Sequence, residues 1–471
     1  MLRGARAVTV LNNIAMQDLT QGSITRQILT MAIPITIGML TQMAYQLVDL
    51  YFVTRLGVDA TAGVNTASNA ILIVFALTQV LAVGSVSLVA QAVGRKDQGD
   101  ANLIFNQSVA LSAGCGIFVV ALLYATIRHY LQSVSADAGT VAAGVTFMFW
   151  ALPGFGLMFL MSAIGSALRG TGIVRPTIAV QILTVVVNII LAPILIAGWG
   201  TGIPLGVKGA GLASTISISI GVLMLGAYFH RLEHYVAIDR ALIRPQFKQW
   251  GRILNIGLPS GGEMLVMFLY TAVVYYTIRD LGPTVQAGFG IGSRVLQAIL
   301  MPALAISMAT GPIIGQNFGA GNGARVRATF RTAAMIGSVV MIVATLIVQF
   351  SPHLLLGAFN ADASATAVAT VFLQMISLNF VAIGLVFTCS ATFQGMGNTL
   401  PSLLSSAVRL LSFAIPAIWL SRQPNFKIEQ VWYLSIAAST LQAVVSFLLL
   451  QTQFKRRLPT LGGAPVPQSA N

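Results

Sequence analysis

Within the apolar stretch AYQLVDLYFV (residues 44–53) stands a single carboxylate, Asp49. An isolated acid at bilayer depth costs about 2.5–3.5 kcal/mol on insertion scales, so such residues face wet cavities and carry ion or proton traffic. Gln42, Tyr45 or Gln46, and Asp49 recur at i, i+3/i+4 and i+7, a polar stripe down one helix face. Protonated, Asp49 can exchange its proton; ionised, it can hold Na⁺ among nearby oxygens. The competing reading is a solvated acid anchoring a span end. Gln181, Thr184 and Asn188 draw a second polar face, where Asn188 offers an oxygen to a cation or a hydrogen bond to a protonated acid. Interhelical hydrogen bonding is the equal alternative there, as it is for Asn65, Ser68 and Asn69 and for Gln374 and Ser377. Glu263, one turn beyond Pro259 in GLPSGGE, is a second cavity acid, or else an acid at the cytoplasmic mouth or paired with a cation such as Arg409. For Arg409 itself, pairing with a carboxylate is expected, and for Arg294 an interface anchor.

Hydrolytic chemistry has little to work with. The four histidines (His129, His230, His234, His353) sit at or beyond the ends of apolar runs, and Cys115 and Cys389 lack CxxC or metal spacing. Neither the clustered aspartates of a pyrophosphate-using transferase nor a nucleophile–base set is present. No enzyme, cofactor or firm metal site is expected, beyond Na⁺ at Asp49 and Asn188.

The elements that position these residues follow from composition. Of 471 residues 56% are hydrophobic and 8% charged, mean hydropathy is +0.84, and apolar runs recur along the whole chain. Lipid cannot hydrogen-bond an exposed backbone, so each run must satisfy its own peptide groups as a helix. Twelve spans are expected, at 27–53, 61–92, 102–127, 140–168, 174–198, 206–229, 250–278, 287–316, 328–349, 365–392, 400–421 and 430–453. Residues 1–24 hold no sustained apolar run and do not resemble a signal peptide, so the first span is expected to remain. The net charge of +14 is distributed by side of the membrane and does not form a nucleic-acid-binding face. Groups such as Arg95-Lys96, Arg169 with Arg175, Arg240 to Arg252, and Lys455-Arg456-Arg457 fall on alternate connections, which places both termini in the cytoplasm.

The spans repeat. Pro34 matches Pro259, Gly57 matches Gly282, Gln91 matches Gln316, Gly170 matches Gly395 and Pro176 matches Pro401, each offset by 225 (259 − 34 = 401 − 176). Six spans per copy keep both copies in one orientation, so the repeats are parallel. This organisation predicts an N-terminal lobe over 1–229, a cytoplasmic linker over 230–254 containing an amphipathic segment, a C-terminal lobe over 255–454 and a disordered tail over 455–471. Two such lobes around a midplane cavity suit alternating access.

DLTQGSITRQILTMAIPI, LVDLYFVTRLG, VAQAVGRKD, ALRGTGIVRP, GVKGAGLAS, IGLPSGGE, GPIIGQNFGAGN and FQGMGNTLP, in order across nearly the whole chain, resemble the multidrug and toxic compound extrusion (MATE) family. The resemblance implies an all-α polytopic membrane protein, twelve transmembrane helices in two six-helix bundles forming a V-shaped cavity. It also implies inner-membrane efflux of cationic, lipophilic small molecules in exchange for H⁺ or Na⁺. Asp49 matches the family's first-helix coupling acid, Pro34 the proline about which that helix bends, Asn188 the fifth-helix Asn of the DinF-like branch, and Ser214 a sixth-helix hydroxyl. Ala192 departs from that branch, which carries an acid four residues after the Asn; with one anionic ligand missing, H⁺ is preferred over Na⁺. Gln42, Tyr45, Gln46, Asn65, Asn69, Gln181, Thr184, Ser214 and Glu263 are candidates for the substrate or coupling cavity. A monomer embedded in lipid, with no nucleic-acid partner, is expected. The alternative is a flippase for a lipid or lipid-linked precursor, which would want a basic cavity; the chain's intramembrane charge is instead two acids and two arginines.

Overall fold

The computed structural model describes residues 17–135, 137–232, 235–357 and 362–458. Helices occupy α1 (Ile24–Thr54), α2 (Val58–Gly94), α3 (Gln98–Val134), α4 (Ala138–Gly170), α5 (Arg175–Ala197), α6 (Val207–Leu232), α7 (Phe247–Ile278), α8 (Pro283–Gly319), α9 (Gly323–Phe350), α10 (Pro352–Leu356), α11 (Ala363–Ser377), α12 (Phe380–Gly395), α13 (Leu400–Leu420) and α14 (Ile428–Arg457). Among the described residues eleven helices are long and apolar enough to cross a bilayer, and α11 with α12, bent by 61°, makes a twelfth, broken span. Large apolar side chains face outward in number, Ile117, Leu223 and Phe350 each above 70% exposed, the opposite of a water-soluble surface.

Local chemistry sets the helix ends. Asp97, Asp137 and Asn322 accept from the backbone N–H three residues on, at 2.9, 2.6 and 3.1 Å, and so cap α3, α4 and α9. The Thr140 N–H and hydroxyl hold the Asp137 carboxyl below the usual carboxylate range. Gly57 and Gly282, 225 apart, open α2 and α8 with φ of 108° and 97°, a backbone that L side chains rarely adopt.

The chain divides into two compact units. Among the described residues, one takes Ile37–Gly257 with residues 17–18; the other takes Leu19–Thr36 with residues from Leu258 to Leu458. Helix α1 therefore starts in the second unit and passes to the first beyond Pro34, and α7 starts in the first and passes to the second beside Pro259.

In the first unit the core is aromatic and aliphatic, with Phe105 stacked on Phe229 at 4.6 Å and Phe155 and Phe159 buried nearby. Helices α2 and α4 approach through Gly63 and Gly144. A Cβ on Gly63 would lie 2.5 Å from the Thr140 carbonyl, and one on Gly144 would lie 2.9 Å from the Gly63 carbonyl. Gly84 and Gly257 let α2 and α7 meet backbone to backbone, against the Ile253 and Val80 carbonyls. Residues 237–246 run as turns and irregular backbone, held by side-chain amides on one face of α3. Asn102 and Asn106 bond Ala237 and Asp239, and Gln107 bonds Leu242, Arg244 and Gln246, at 2.5–2.9 Å. No amphipathic helix forms over 237–246, because α3 supplies the hydrogen bonds that a helix would have made for itself. Arg252, at the start of α7, grips Asp100 with both Nη atoms (3.0 and 3.2 Å), and Arg95 joins at 2.8 Å.

In the second unit Phe289, Phe372 and Trp432 form the aromatic centre of the core. Leu19, Ile28 and Met31 are at most 2% exposed there. Leu19 N–H donates to Gln316 Oε1 (2.9 Å), its carbonyl accepts from Asn317 Nδ2 (3.1 Å), and Arg325 Nη2 donates to the Gln21 and Gly22 carbonyls (3.0 and 2.8 Å).

The tenth span, expected to run unbroken over 365–392, breaks at Leu378-Asn379, where no proline or glycine stands. Gln349 donates to the Gln374 carbonyl (2.7 Å) and Thr345 to that of Ser377 (2.8 Å), while Asn379 accepts from Thr440 (3.2 Å). Side chains thus take up the backbone groups that the break releases. At the matching place in the first repeat α4 stays helical through Pro153, and Tyr124, the counterpart of Gln349 (349 − 124 = 225), bonds the Phe149 carbonyl at 2.8 Å. A proline there removes the donor that carbonyl would otherwise have had.

Candidate functional site

Of the first-unit candidates, the structure joins one on α1 to one on α6 by a hydrogen bond. Tyr45 Oη lies 3.2 Å from Ser214 Oγ, and Ser214 also bonds the Ala210 carbonyl at 3.2 Å. This contact fixes α1 against α6 one turn before Asp49. Tyr270, the counterpart of Tyr45 (270 − 45 = 225), likewise bonds a serine of its repeat's last helix, Ser435, at 2.6 Å. On α5, packed against α6, Asn188 is 3% exposed and bonds no described residue, so its amide is unspent. Thr184 spends its hydroxyl on the Val180 carbonyl (2.9 Å). Gln181 is half-buried, its Oε1 3.3 Å from where a Cβ on Gly38 would stand. Gln42 is half-buried, and Asn65 and Asn69 are exposed on one face of α2. Pro34 lies inside α1 without ending it. The side chains of Gln46 and Asp49 lie outside the described residues; the backbone at both is helical. Ala192, four residues beyond Asn188, is fully buried.

The second-unit site is built around Glu263 on α7. Ser390 Oγ, from α12, lies 3.1 Å from Oε2 and 3.4 Å from Oε1; Ser402 Oγ, from α13, lies 3.0 Å from Oε2; and the two hydroxyls are 2.7 Å apart. Ser406, one turn beyond Ser402, accepts from Gln442 of α14 at 3.0 Å. Arg409 does not pair with a carboxylate. Its guanidinium lies 4.2 Å over the Tyr270 ring, and its buried Nε has no partner among the described residues. The described ion pairs, Arg95–Asp100, Arg252–Asp100 and Arg279–Asp280, leave Glu263 without a cation within 4 Å. Arg294 is exposed.

Residues 34–194 and 259–420 each match the MatE family, two matches whose starts are again 225 apart. The chain belongs to the MatE family. Its relatives include the multidrug export protein MepA of Staphylococcus saprophyticus, 25% identical over 91% of this chain and 94% of that one. A FAD transporter of Shewanella oneidensis is 22% identical over 84% and 88%. Among solved structures, a MOP superfamily transporter from Pyrococcus furiosus superposes with a TM-score of 0.85 at 24% identity, covering 94% of this chain and 98% of the other. MatE proteins are membrane transporters and not enzymes, and this one is a multi-pass, all-helical member.

Ser390, Ser402, Ser406 and Gln442 of this MatE chain escaped the sequence reading, because a lone serine in an apolar helix has no local signature. The repeat carried a usable signal. The positions 225 before Glu263, Ser390 and Ser402 are Gly38, Gly165 and Thr177, so this corner departs from internal symmetry at all three places. Among the described residues no three His, Cys, Asp or Glu side chains gather as a metal site.

Proposed function

We propose that this MatE protein is a secondary transporter that exports lipophilic cationic compounds from the cell by antiport with H⁺, with Asp49 as the coupling acid. The family match across both repeats carries the reading, and the export function named for MepA supports it. Asn188 supports the coupling role: its side chain is buried on α5 and bonds no described residue, so its amide can turn an oxygen to a cation or a hydrogen bond to a protonated acid. Gln42, Tyr45, Gln46, Asn65, Asn69, Gln181, Thr184 and Ser214 serve as the polar wall of the cavity. The working parts are lobes 1–229 and 255–454, joined by the linker 230–254, in a monomer in the inner membrane with both termini cytoplasmic. Protonation of Asp49 bends α1 at Pro34 and alters the N-terminal cavity.

The test is dye accumulation in efflux-deficient bacteria making wild type or Asp49→Asn at matched levels. Wild type should lower accumulation of a lipophilic cationic dye, and the variant should not. If wild type leaves several such dyes unaffected, cationic export is refuted and flavin or lipid-linked cargo takes its place. Loss of all transport in Na⁺-free buffer would refute H⁺ coupling.

A further inference from the structure

The two repeats use one helix surface differently. In the second, the start of α9 and the end of α14 bound a cleft of about 370 Å³, lined by Arg327, Phe330 and Arg331 on one side and by Phe447, Gln451 and Lys455 on the other. Phe330 is its buried floor, packed against Phe454 at 5.9 Å and Phe447 at 6.3 Å between ring centres. Phe105 and Phe229 stand 225 before Phe330 and Phe454 (330 − 105 = 454 − 229 = 225) and also pair, at 4.6 Å, so the ring contact marks the same place in the first repeat. There the chain itself covers the surface. Asn102 and Asn106 are the counterparts of Arg327 and Arg331 (327 − 102 = 331 − 106 = 225). Their Oδ1 atoms accept from the Ala237 and Asp239 N–H groups, both at 2.9 Å, and Asn106 Nδ2 donates to the Ala237 carbonyl at 2.8 Å.

An amide that both donates and accepts suits a returning backbone, which presents N–H and C=O groups alike. A guanidinium only donates. Arginine at both positions therefore removes the acceptors a peptide would need and asks for a ligand made of acceptors and negative charge, which phosphate oxygens supply in the spacing of the guanidinium fork. No acid lines the cleft, and none of the ion pairs among the described residues includes Arg327, Arg331 or Lys455. Arg327 Nε is buried without a partner, while Arg331 and Lys455 are exposed. Away from the cations the surface turns apolar. Met335, Val339 and Ile342 follow Arg331 along one face of α9, and Leu448 and Val444 precede Gln451 along α14, each 48–64% exposed. Cations at one end and two apolar tracks leading from them match the head and chains of a phospholipid, whereas free phosphate would leave the tracks unused.

We propose that the α9–α14 cleft binds an anionic phospholipid, with Arg327, Arg331 and Lys455 on its phosphate and the apolar faces of the two helices along its acyl chains. This goes beyond the export reading and stands whatever the cargo or coupling ion is. Native mass spectrometry of the purified full-length protein in a neutral detergent, titrated with dioleoylphosphatidylglycerol or dioleoylphosphatidylcholine, tests it. Phosphatidylglycerol should bind the more tightly. A cation beside an anionic lipid is worth about 5-fold in affinity, so Arg331→Gln should weaken phosphatidylglycerol binding by about that factor and the Arg327→Gln, Arg331→Gln pair by about 30-fold. Arg331 is exposed, so its single variant carries the test if the pair fails to fold. Arg456→Gln removes an exposed cation outside the cleft and should leave binding nearly unchanged. Equal affinity for the two lipids would overturn the proposal, as would equal losses in Arg456→Gln and Arg331→Gln. An inorganic phosphate adduct that Arg331→Gln abolishes while lipid binding is unmoved would make the ligand free phosphate and refute the lipid. A gain in lipid affinity when the chain is cut after Leu458 would make its own tail the occupant and refute it too.

Discussion

The α2–α4 crossing can be interrogated with two methyl groups. Oxygen and carbon in close contact stand about 3.3 Å apart, so the 2.5 Å between the Thr140 carbonyl and a Cβ on Gly63 asks the helices to part by roughly 0.8 Å. Overpacking of that kind costs about 1–3 kcal/mol, against which alanine in a helix gains about 0.5–1 over glycine. Gly63→Ala is therefore expected to lose up to about 2 kcal/mol. A Cβ on Gly144 would stand 2.9 Å from the Gly63 carbonyl, which needs only about 0.4 Å of the same separation, and 2.9 Å from Leu131 Cδ1, the far end of a side chain that can turn aside. In the double variant the strain is incurred once while the helix gain comes twice. It should match or exceed Gly63→Ala in stability, a coupling of about 1 kcal/mol or more. Gly114 on α3 has nothing within 4 Å of its Cβ site, so Gly114→Ala is the control and should stabilise. Unfolding in mixed micelles titrated with SDS measures all four free energies. Strictly additive losses, or a neutral Gly63→Ala, would refute the close-approach argument.

Two further outcomes follow from groups outside the apolar spans. Asp100→Asn strips the carboxylate charge from Arg252 and Arg95; as the site is only partly buried, the loss should be about 1–3 kcal/mol. It should be read as a lower unfolding midpoint together with faster amide exchange at the start of α7, and unchanged exchange there would count against the clamp. For Asp137, whose carboxyl is held low by Thr140, the contribution to stability is present above the ordinary aspartate value and is lost as pH falls through the lowered one. Amide protection in the first turn of α4, taken relative to the intrinsic exchange rate at each pH, should fall with acid in wild type, whereas in Asp137→Ala it should be low and independent of pH.

The long-range plan was legible because it is written in units larger than a residue. Apolar runs of bilayer length can only be helices, and the offset of 225 tied one half to the other, as the paired family match does. Contacts that depend on which face a side chain takes were not legible. Arg409 stands two turns from Ser402, and only the packing of α7 against α13 decides that it meets a tyrosine ring and no acid. The tenth span carries no breaker at Leu378-Asn379, and its break rests on Gln349, Thr345 and Thr440 from other helices. Pro153, a breaker by type, leaves α4 helical because Tyr124 covers the freed carbonyl. Ser214 was placed through a resemblance; that its hydroxyl lies 3.2 Å from Tyr45 Oη is a pairing across helices that spacing along the chain does not reveal.

The start of α1 also sets a timetable for synthesis. Leu19, Ile28 and Met31 leave the ribosome well ahead of the groups that hold this segment, Gln316 and Asn317, which lie 297 and 298 positions after Leu19. At about 5–20 residues per second the segment waits roughly 15–60 s for its place to exist. Through that interval an apolar helix start with unmet backbone groups must be sheltered by lipid or by the insertion machinery, and the first repeat cannot complete its fold as a separate object. Assembly closes at a segment made long before its partners.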